Sequence, residues 1–134
     1  MEITKQHIDE AHKRIKPFIH KTPVLTSKTL DQISGAQIFF KCENFQKIGA
    51  FKIRGGMNAV LSLPEEKRTK GIATHSSGNH AQAIAFAARE VGVKAYIVMP
   101  DNSPKVKVDA VRAMAQRYFF ANLINRQEKK LCRM

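Results

Sequence analysis

The chain has 134 residues, room for one domain, and 43% of them are hydrophobic and 25% charged, which is typical of a globular protein. The formal net charge is +12, but the basic residues are scattered without a recognition-helix or stacked-aromatic pattern, so nucleic-acid binding is not expected. No apolar run approaches the roughly 18 residues of a membrane span, and the N-terminus lacks the apolar core of a signal peptide. Cys42 and Cys132 form no metal-ligand or CxxC cluster. We therefore expect a cytoplasmic protein without a metal site, disulfide or membrane partner.

The first elements in the chain are predicted to be short. Thr4 is expected to cap a helix on which Ile8, Ala11 and Ile15 share one face, and Pro17 ends it. We interpret this helix as a packing element. The next predicted elements are an extended connector (residues 21–25), a short helix closed by Gly35 (27–33) and a strand (37–42).

The second half alternates between strand-like and helix-like segments. The pattern predicts a helix (residues 57–63), a charged loop (65–70), a short buried strand (71–74), a turn (75–78), an alanine-rich helix (79–91), a strand (95–99), a loop (100–104) and a helix from Lys105. Strands that alternate with helices are typical of a parallel sheet with helices on its faces. The predicted fold class is therefore α/β.

The transition from the first long strand to the following helix contains the sequence KCENFQKIGAFKIRGG (residues 41–56). Gly49 is expected to allow a tight entry, and Gly55 and Gly56 are expected to permit close backbone approach to a ligand. Lys52 lies at this transition, between two apolar residues. An apolar environment disfavours the charged form of lysine and frees the amine to act as nucleophile or base. Taken alone, however, an ordinary solvated surface lysine is the simpler interpretation.

A second block, THSSGNH (residues 74–80), lies between a predicted strand and a predicted helix. Open α/β sheets bind ligands at this end of their strands, and the start of a helix suits an anion such as an amino-acid carboxylate. On local evidence alone, a serine helix cap with nothing bound is the simpler interpretation. Together with the lysine block, we favour the ligand site.

The two blocks, in this order and spacing, resemble those of the fold-type II pyridoxal-phosphate enzymes, and most closely the serine/threonine dehydratase and serine racemase group. The resemblance implies a tryptophan synthase β-like α/β scaffold and pyridoxal 5'-phosphate bound to Lys52 as a Schiff base. It implies that Asn79 contacts the cofactor and that Ser76, Ser77 and His80 hold the substrate carboxylate. Lys52 would act as general base, and in racemases Ser77 would act on the opposite face of the substrate.

The activity implied by this resemblance is the dehydration and deamination of L-serine or L-threonine to a 2-oxo acid and ammonia, with serine racemisation as a second activity. The substrate would be a small amino acid, and full-length relatives would be homo-oligomers. The choice between serine and threonine, and between dehydratase and racemase, remains open. The alternative is a non-catalytic remnant or a small basic binding protein.

The resemblance extends from residue 4 to about residue 112, whereas family members run to several hundred residues. It implies that residues 1–70 belong to the large cofactor-binding domain with the lysine, and that residues 71–114 begin the small domain. Residues 115–122 are not expected to form the buried strand of the family. We interpret residues 115–134 as a non-homologous basic tail and a candidate frameshift. Because the glycine-rich loop that holds the cofactor phosphate is missing, a truncated chain is expected to be inactive alone.

Overall fold

The computed structural model of the protein describes residues 2–115 and 117–121. Its helices are α1 (Lys5–Ile15), α2 (Lys28–Ser34), α3 (Lys52–Ser62), α4 (Glu65–Arg68), α5 (Asn79–Glu90) and α6 (Lys105–Met114). Its strands are β1 (Val24–Leu25), β2 (Phe40–Lys41), β3 (Ile72–His75), β4 (Ala95–Pro100) and β5 (Arg117–Ala121). Short 3₁₀ helices lie at Lys16–Phe18, Glu43–Phe45 and Lys47–Gly49. No helix in this part of the chain is long and apolar enough to cross a bilayer.

The larger sheet contains three parallel strands in the order β3-β4-β5. Ile72 of β3 lies opposite Ala95 of β4, and Tyr96 of β4 lies opposite Arg117 of β5. Helix α5 connects β3 to β4 and α6 connects β4 to β5, which is the kind of crossover that parallel strands require. The predicted α/β class, with a parallel sheet and flanking helices, is confirmed.

Strand β5 lies within residues 115–122, which are not expected to form the buried strand of the family. It pairs with β4 in parallel over all five of its residues. Aromatic residues favour strands, and the open edge of β4 offers unpaired backbone groups. Among the described strands β5 lies at the edge of the sheet, and the side chains of Arg117 and Phe119 are exposed. The rest of the predicted tail, residues 122–134, lies outside the described residues.

The smaller sheet is an antiparallel pair in which Val24 of β1 lies opposite Lys41 of β2. The strand predicted over residues 37–42 is therefore shorter than expected. Both β1 residues are about half exposed, and Phe39 and Phe40 are 61% and 40% exposed. This apolar surface remains uncovered by the described part of the chain.

The predicted helix ends at Thr4 and Gly35 are confirmed. Thr4 caps α1 through a reciprocal bond with His7. Ser27, which was predicted to be the first residue of the second helix, instead caps α2. Gly35 ends α2 in the left-handed conformation, with φ of 68°, which a residue without Cβ adopts at little cost. Two other expectations need correction. The predicted charged loop over residues 65–70 contains α4, and the helix predicted from residue 57 begins at Lys52.

The hydrophobic core lies among α3, α5, α6 and the larger sheet. Helix α5 is buried along most of its length, from Ala81 to Ala88, because its small alanine side chains allow neighbouring elements to approach on several sides. The largest fully buried side chains are Ile53, Met57, Val60, Ile97, Met99 and Val111.

Gly56 has a different role from the predicted approach to a ligand. A Cβ atom built at Gly56 would lie 2.9 Å from Cβ of Ala83 and 3.3 Å from its carbonyl carbon. The absence of a side chain at Gly56 therefore lets α3 and α5 pack with their backbones nearly in contact. At Gly55, by contrast, an added Cβ would meet no described atom within 4 Å.

Candidate active site

The lysine block enters α3 through a tight turn. Ile48 and Gly49 both have positive φ, at 60° and 65°. Gly49 thus has the conformation that its predicted role requires, but the preceding Ile48 is a β-branched residue in the left-handed region, a strain on the order of 1–3 kcal/mol. Ala50 is buried, and Lys52 is the first residue of α3. A strained turn held by packing therefore fixes where the lysine begins its helix.

The surroundings of Lys52 differ from the predicted apolar environment. The lysine side chain is exposed, and its Nζ lies 5.0 Å from the centre of the Phe51 ring. Phe51 itself is 57% exposed, whereas Ile53 is fully buried. Of the two apolar neighbours in sequence, one faces solvent and the other faces the core, because consecutive helix residues point in different directions. In the described part of the chain the amine is accessible and is not enclosed.

The second block forms a turn between β3 and α5, at the carboxyl end of a parallel strand as predicted. The Ser76 N–H donates to the carbonyl of Val98 on β4, at 3.0 Å. The Gly78 N–H donates to Ser76 Oγ at 3.3 Å, which closes a local serine turn. Among the described residues no side chain caps α5, so the simple serine cap is wrong. The first-turn N–H groups of α5 are therefore available to an anion.

Asn79 is the first residue of α5, and its side chain is half-buried. Its Oδ1 accepts a hydrogen bond from Lys107 Nζ on α6, at 2.6 Å. Ser77 and His80 are exposed on either side of Asn79, and Ser76 is half-buried. The five predicted site residues thus lie at the starts of α3 and α5 and in the turn before α5.

The packing of α3 on α5 relates the two blocks to each other. Gly56 and Ala83 meet at the crossing of the two helices, and each lies four residues after the start of its helix. Four residues of α-helix rise about 6 Å. Lys52 and Asn79 therefore each lie about one helical turn from the same contact, although the structure joins them by no direct hydrogen bond among the described residues.

Two open clefts lie away from these five residues. One cleft has a volume of about 520 Å³ and is lined mainly by basic side chains. Two of these already have partners within the chain. Lys41 Nζ donates to the Thr22 carbonyl at 2.7 Å, and Arg54 pairs with Glu43. The other, of about 680 Å³, lies between α1 and α3. No group of three or more His, Cys, Asp or Glu in the described residues could hold a metal ion. The first cleft is lined by His12, Lys16, Ile19, His20, Lys21, Lys41 and Arg54.

The structure contains an ion pair between Glu43 and Arg54 that the sequence did not predict. Arg54 Nε and Nη2 each donate to a Glu43 carboxylate oxygen at 2.7 Å, and the Thr22 hydroxyl donates to Oε1. The Arg54 hydrogen bonds and, to a smaller extent, the Thr22 bond and the charges of Arg54 and Lys41 lower the pKa of Glu43 to about 2, although burial acts to raise it. This pair ties the segment before the turn to the first turn of α3. No periodicity relates the partners, so the sequence offers no signal for it.

Acid is expected to weaken the fold through Glu43. A carboxyl whose pKa falls from 4.5 to about 2 on folding stabilises the chain above pH 4.5, and that contribution is lost as the pH falls from 4.5 towards 2. For this half-buried pair, which solvent screens in part, the loss is on the order of 2 kcal/mol. Urea unfolding followed by circular dichroism between pH 6 and pH 2.5 measures it. Glu43→Gln should be less stable at pH 6 and should flatten the pH dependence, whereas the exposed Glu66→Gln should do neither. An equally steep acid transition in Glu43→Gln would contradict this assignment.

The fold and the two blocks define a class of protein, namely a parallel α/β scaffold with an accessible lysine at one helix start and a Ser-Ser-Gly-Asn turn at a neighbouring one. The chain belongs to the pyridoxal-phosphate dependent enzyme family, whose family model matches residues 15–130. The predicted resemblance to fold-type II enzymes is thereby confirmed. The cofactor of the family is pyridoxal 5'-phosphate.

Similar proteins cover most of this chain but exceed it in length. Serine racemase of Arabidopsis thaliana is 62% identical over 104 residues, which are 78% of this chain and 31% of the relative. L-threo-3-hydroxyaspartate ammonia-lyase of Saccharomyces cerevisiae is 58% identical over 101 residues, 75% of this chain and 31% of the relative. The crystal structure of serine racemase from Dictyostelium discoideum has a TM-score of 0.90 at 45% identity, covering 96% of this chain and 42% of that one. The chain thus spans about a third of the length of these curated relatives.

Proposed function

We propose that this chain carries the reactive lysine and the substrate-carboxylate turn of a pyridoxal-phosphate enzyme that dehydrates and deaminates L-serine or L-threonine, with serine racemisation as a second activity. One observation carries the proposal: Lys52 and the Ser76–His80 block begin two helices that meet at Gly56 and Ala83. In this proposal residues 1–70 belong to the large domain and residues 71–114 to the start of the small one.

The residues present fit such a cofactor. The Lys52 amine is exposed, as covalent attachment of an aldehyde requires. Asn79 offers an amide to a ring oxygen, and the uncapped start of α5 offers N–H groups to a carboxylate. Ser76, Ser77 and His80 surround that start. These features support one end of the site, while the part that would hold the cofactor phosphate is not among them.

The proposed chemistry is a proton transfer at the substrate Cα. When bound, the cofactor supplies an electron-accepting ring for the electron pair released at Cα. Lys52 Nζ removes the Cα proton, hydroxide leaves Cβ and departs as water, and hydrolysis then yields the 2-oxo acid and ammonia. Racemisation instead needs a proton returned on the opposite face, which we assign to the Ser77 hydroxyl. Ser76, His80 and the α5 N–H groups hold the carboxylate and so fix which Cα–H bond faces the lysine.

The names of the relatives fit both activities, since some are serine racemases and others are a dehydratase or an ammonia-lyase. In the proposal Lys52 and the carboxylate-binding residues serve both reactions. A non-catalytic remnant or small basic binding protein is the second candidate, favoured by the +12 net charge and the basic cleft. A cytoplasmic location and homo-oligomeric full-length relatives stay predictions.

Selective labelling of Lys52 by the cofactor tests the proposal. The purified chain is incubated with excess pyridoxal phosphate and reduced with borohydride, which traps weak adducts, and the labelled peptides are quantified by mass spectrometry. We expect the Lys52 peptide to carry about tenfold more label than the Lys28 peptide, an advantage of about 1.4 kcal/mol. Lys28 is a matched comparison because it too is an exposed first residue of a helix.

The variants complete the test. Lys52→Ala should abolish the selective label and the visible absorbance of the adduct recorded before reduction, while Lys28→Ala should preserve both. Circular dichroism should show the same helix content in the two variants, since both side chains are exposed. Uniform labelling of all lysines in the wild-type chain would overturn the proposed function of this chain and favour the basic binding protein.

A further inference from the structure

The side-chain oxygen of Asn79 is bonded to Lys107, a residue outside the two sequence motifs. Lys107 lies on α6, which packs on α5, and its Nζ is 2.6 Å from Asn79 Oδ1. Both side chains are half-buried. Lys105, two residues earlier on the same helix, is exposed. The ammonium of Lys107 is thus directed at the start of α5, next to the Ser-Ser-Gly turn.

This contact fixes which way the Asn79 amide faces. The oxygen and nitrogen of an asparagine side chain have nearly the same shape, so packing alone does not choose between the two orientations. A lysine ammonium has three donors and no acceptor, so it pairs with the amide oxygen and repels the amide NH₂. With Oδ1 turned towards Lys107, the two Nδ2–H donors face the other way.

We propose that Lys107 is a positioning residue that holds Asn79 with its amide N–H donors towards the bound group, so that this position selects a ligand oxygen that accepts a hydrogen bond. The proposal rests on the proposed function, in which Asn79 contacts the oxygen on the cofactor ring. The positive charge of Lys107 also polarises the amide through its oxygen, which makes the N–H donors stronger towards an anionic oxygen. Two neighbouring helices thereby share the control of one contact.

The orientation of the amide can be measured in the chain without cofactor. In a ¹⁵N–¹H correlation spectrum, Asn79→Asp identifies the Asn79 side-chain NH₂ signals by their disappearance. We expect Lys107→Met, which keeps the length and the apolar stem of the side chain, to shift these signals. Lys107→Arg should restore most of the wild-type position because it keeps a charged donor. Lys105→Met removes the same charge from the same helix and should leave the signals unchanged.

The consequence for binding is measured by the trapped label at Lys52. We expect about a tenfold lower yield in Lys107→Met, the loss that corresponds to a hydrogen bond to a charged group, and wild-type yield in Lys105→Met. Asn79→Asp separates the contact with Lys107 from hydrogen-bond donation to the bound group. The new carboxylate would still pair with Lys107, but it has no N–H donor for the bound group. This variant should keep or raise the melting temperature and lose the label at least as strongly as Lys107→Met.

The outcomes are distinguishable from a failure of the proposed function. Unchanged Asn79 amide signals in Lys107→Met would overturn the positioning role, and wild-type labelling in Asn79→Asp would overturn the donor role. If the wild-type chain shows no selective label at Lys52, the proposed function fails, and the proposal that Lys107 positions Asn79 for the bound group fails with it. The amide spectra then still report whether Lys107 orients Asn79.

Discussion

Ile53→Ala is expected to destabilise the chain by about 2–5 kcal/mol, whereas Phe51→Ala is expected to change its stability by about 0.5 kcal/mol or less. Ile53 is fully buried in the core, so its truncation removes apolar contacts and leaves a cavity. Phe51 is 57% exposed, and its removal costs little burial. Because single domains are stable by only about 5–15 kcal/mol, the first change removes a large part of the total.

Urea unfolding followed by circular dichroism measures this difference, with the midpoint and slope fitted for each variant. The two positions flank Lys52, so the comparison also shows which neighbour holds the helix start that carries this lysine. Ile53→Ala should therefore lower the urea concentration at which the selective label at Lys52 is lost, and Phe51→Ala should not. Equal midpoints for the two variants would mean that α3 does not pack through Ile53.

Substitution of the paired glycines by alanine is expected to have opposite effects at the two positions. At Gly56 the new Cβ would lie 2.9 Å from Cβ of Ala83, a separation that forces α3 and α5 apart and costs about 1–3 kcal/mol. At Gly55 the new Cβ meets no described atom within 4 Å. Alanine in that open helical position should instead stabilise the chain by about 0.5–1 kcal/mol, because glycine loses more backbone conformational entropy on folding than alanine does.

The two glycine variants serve as each other's control, since they are adjacent, helical and chemically identical changes. Thermal and urea unfolding should place Gly56→Ala below the wild type and Gly55→Ala above it. If both variants were stabilised, the close approach of α3 to α5 at Gly56 would be wrong. That result would also remove the contact that relates Lys52 to Asn79.

Local chemistry accounts for most of the elements that were predicted correctly. The cap at Thr4 and the helix end at Gly35 depend only on neighbouring backbone groups, so a single sequence reveals them. The alternation of strands and helices identified the parallel sheet, because a helix between two strands is the usual connection of parallel neighbours. The pairing of β5 was not predicted because its partner, β4, is a separate element of the chain.

The candidate site divides in the same way. Residue type and order identified Lys52 and the Ser76–His80 turn, since a lysine at a helix start and a serine-glycine turn are local features. The sequence did not reveal that Lys52 is exposed or that the serine cap is not formed, because both depend on what surrounds the segment. The roles of these residues in catalysis remain predictions.

By itself the sequence determined the fold class, the family and the positions of the two motifs. Only the tertiary structure decided which side chains meet across elements, namely Gly56 with Ala83, Glu43 with Arg54, and Asn79 with Lys107. The partners in the last two pairs are separated by 11 and 28 residues. No helical or strand period links positions on different elements, so their contact depends on how α3, α5 and α6 pack, and that packing is a property of the whole core.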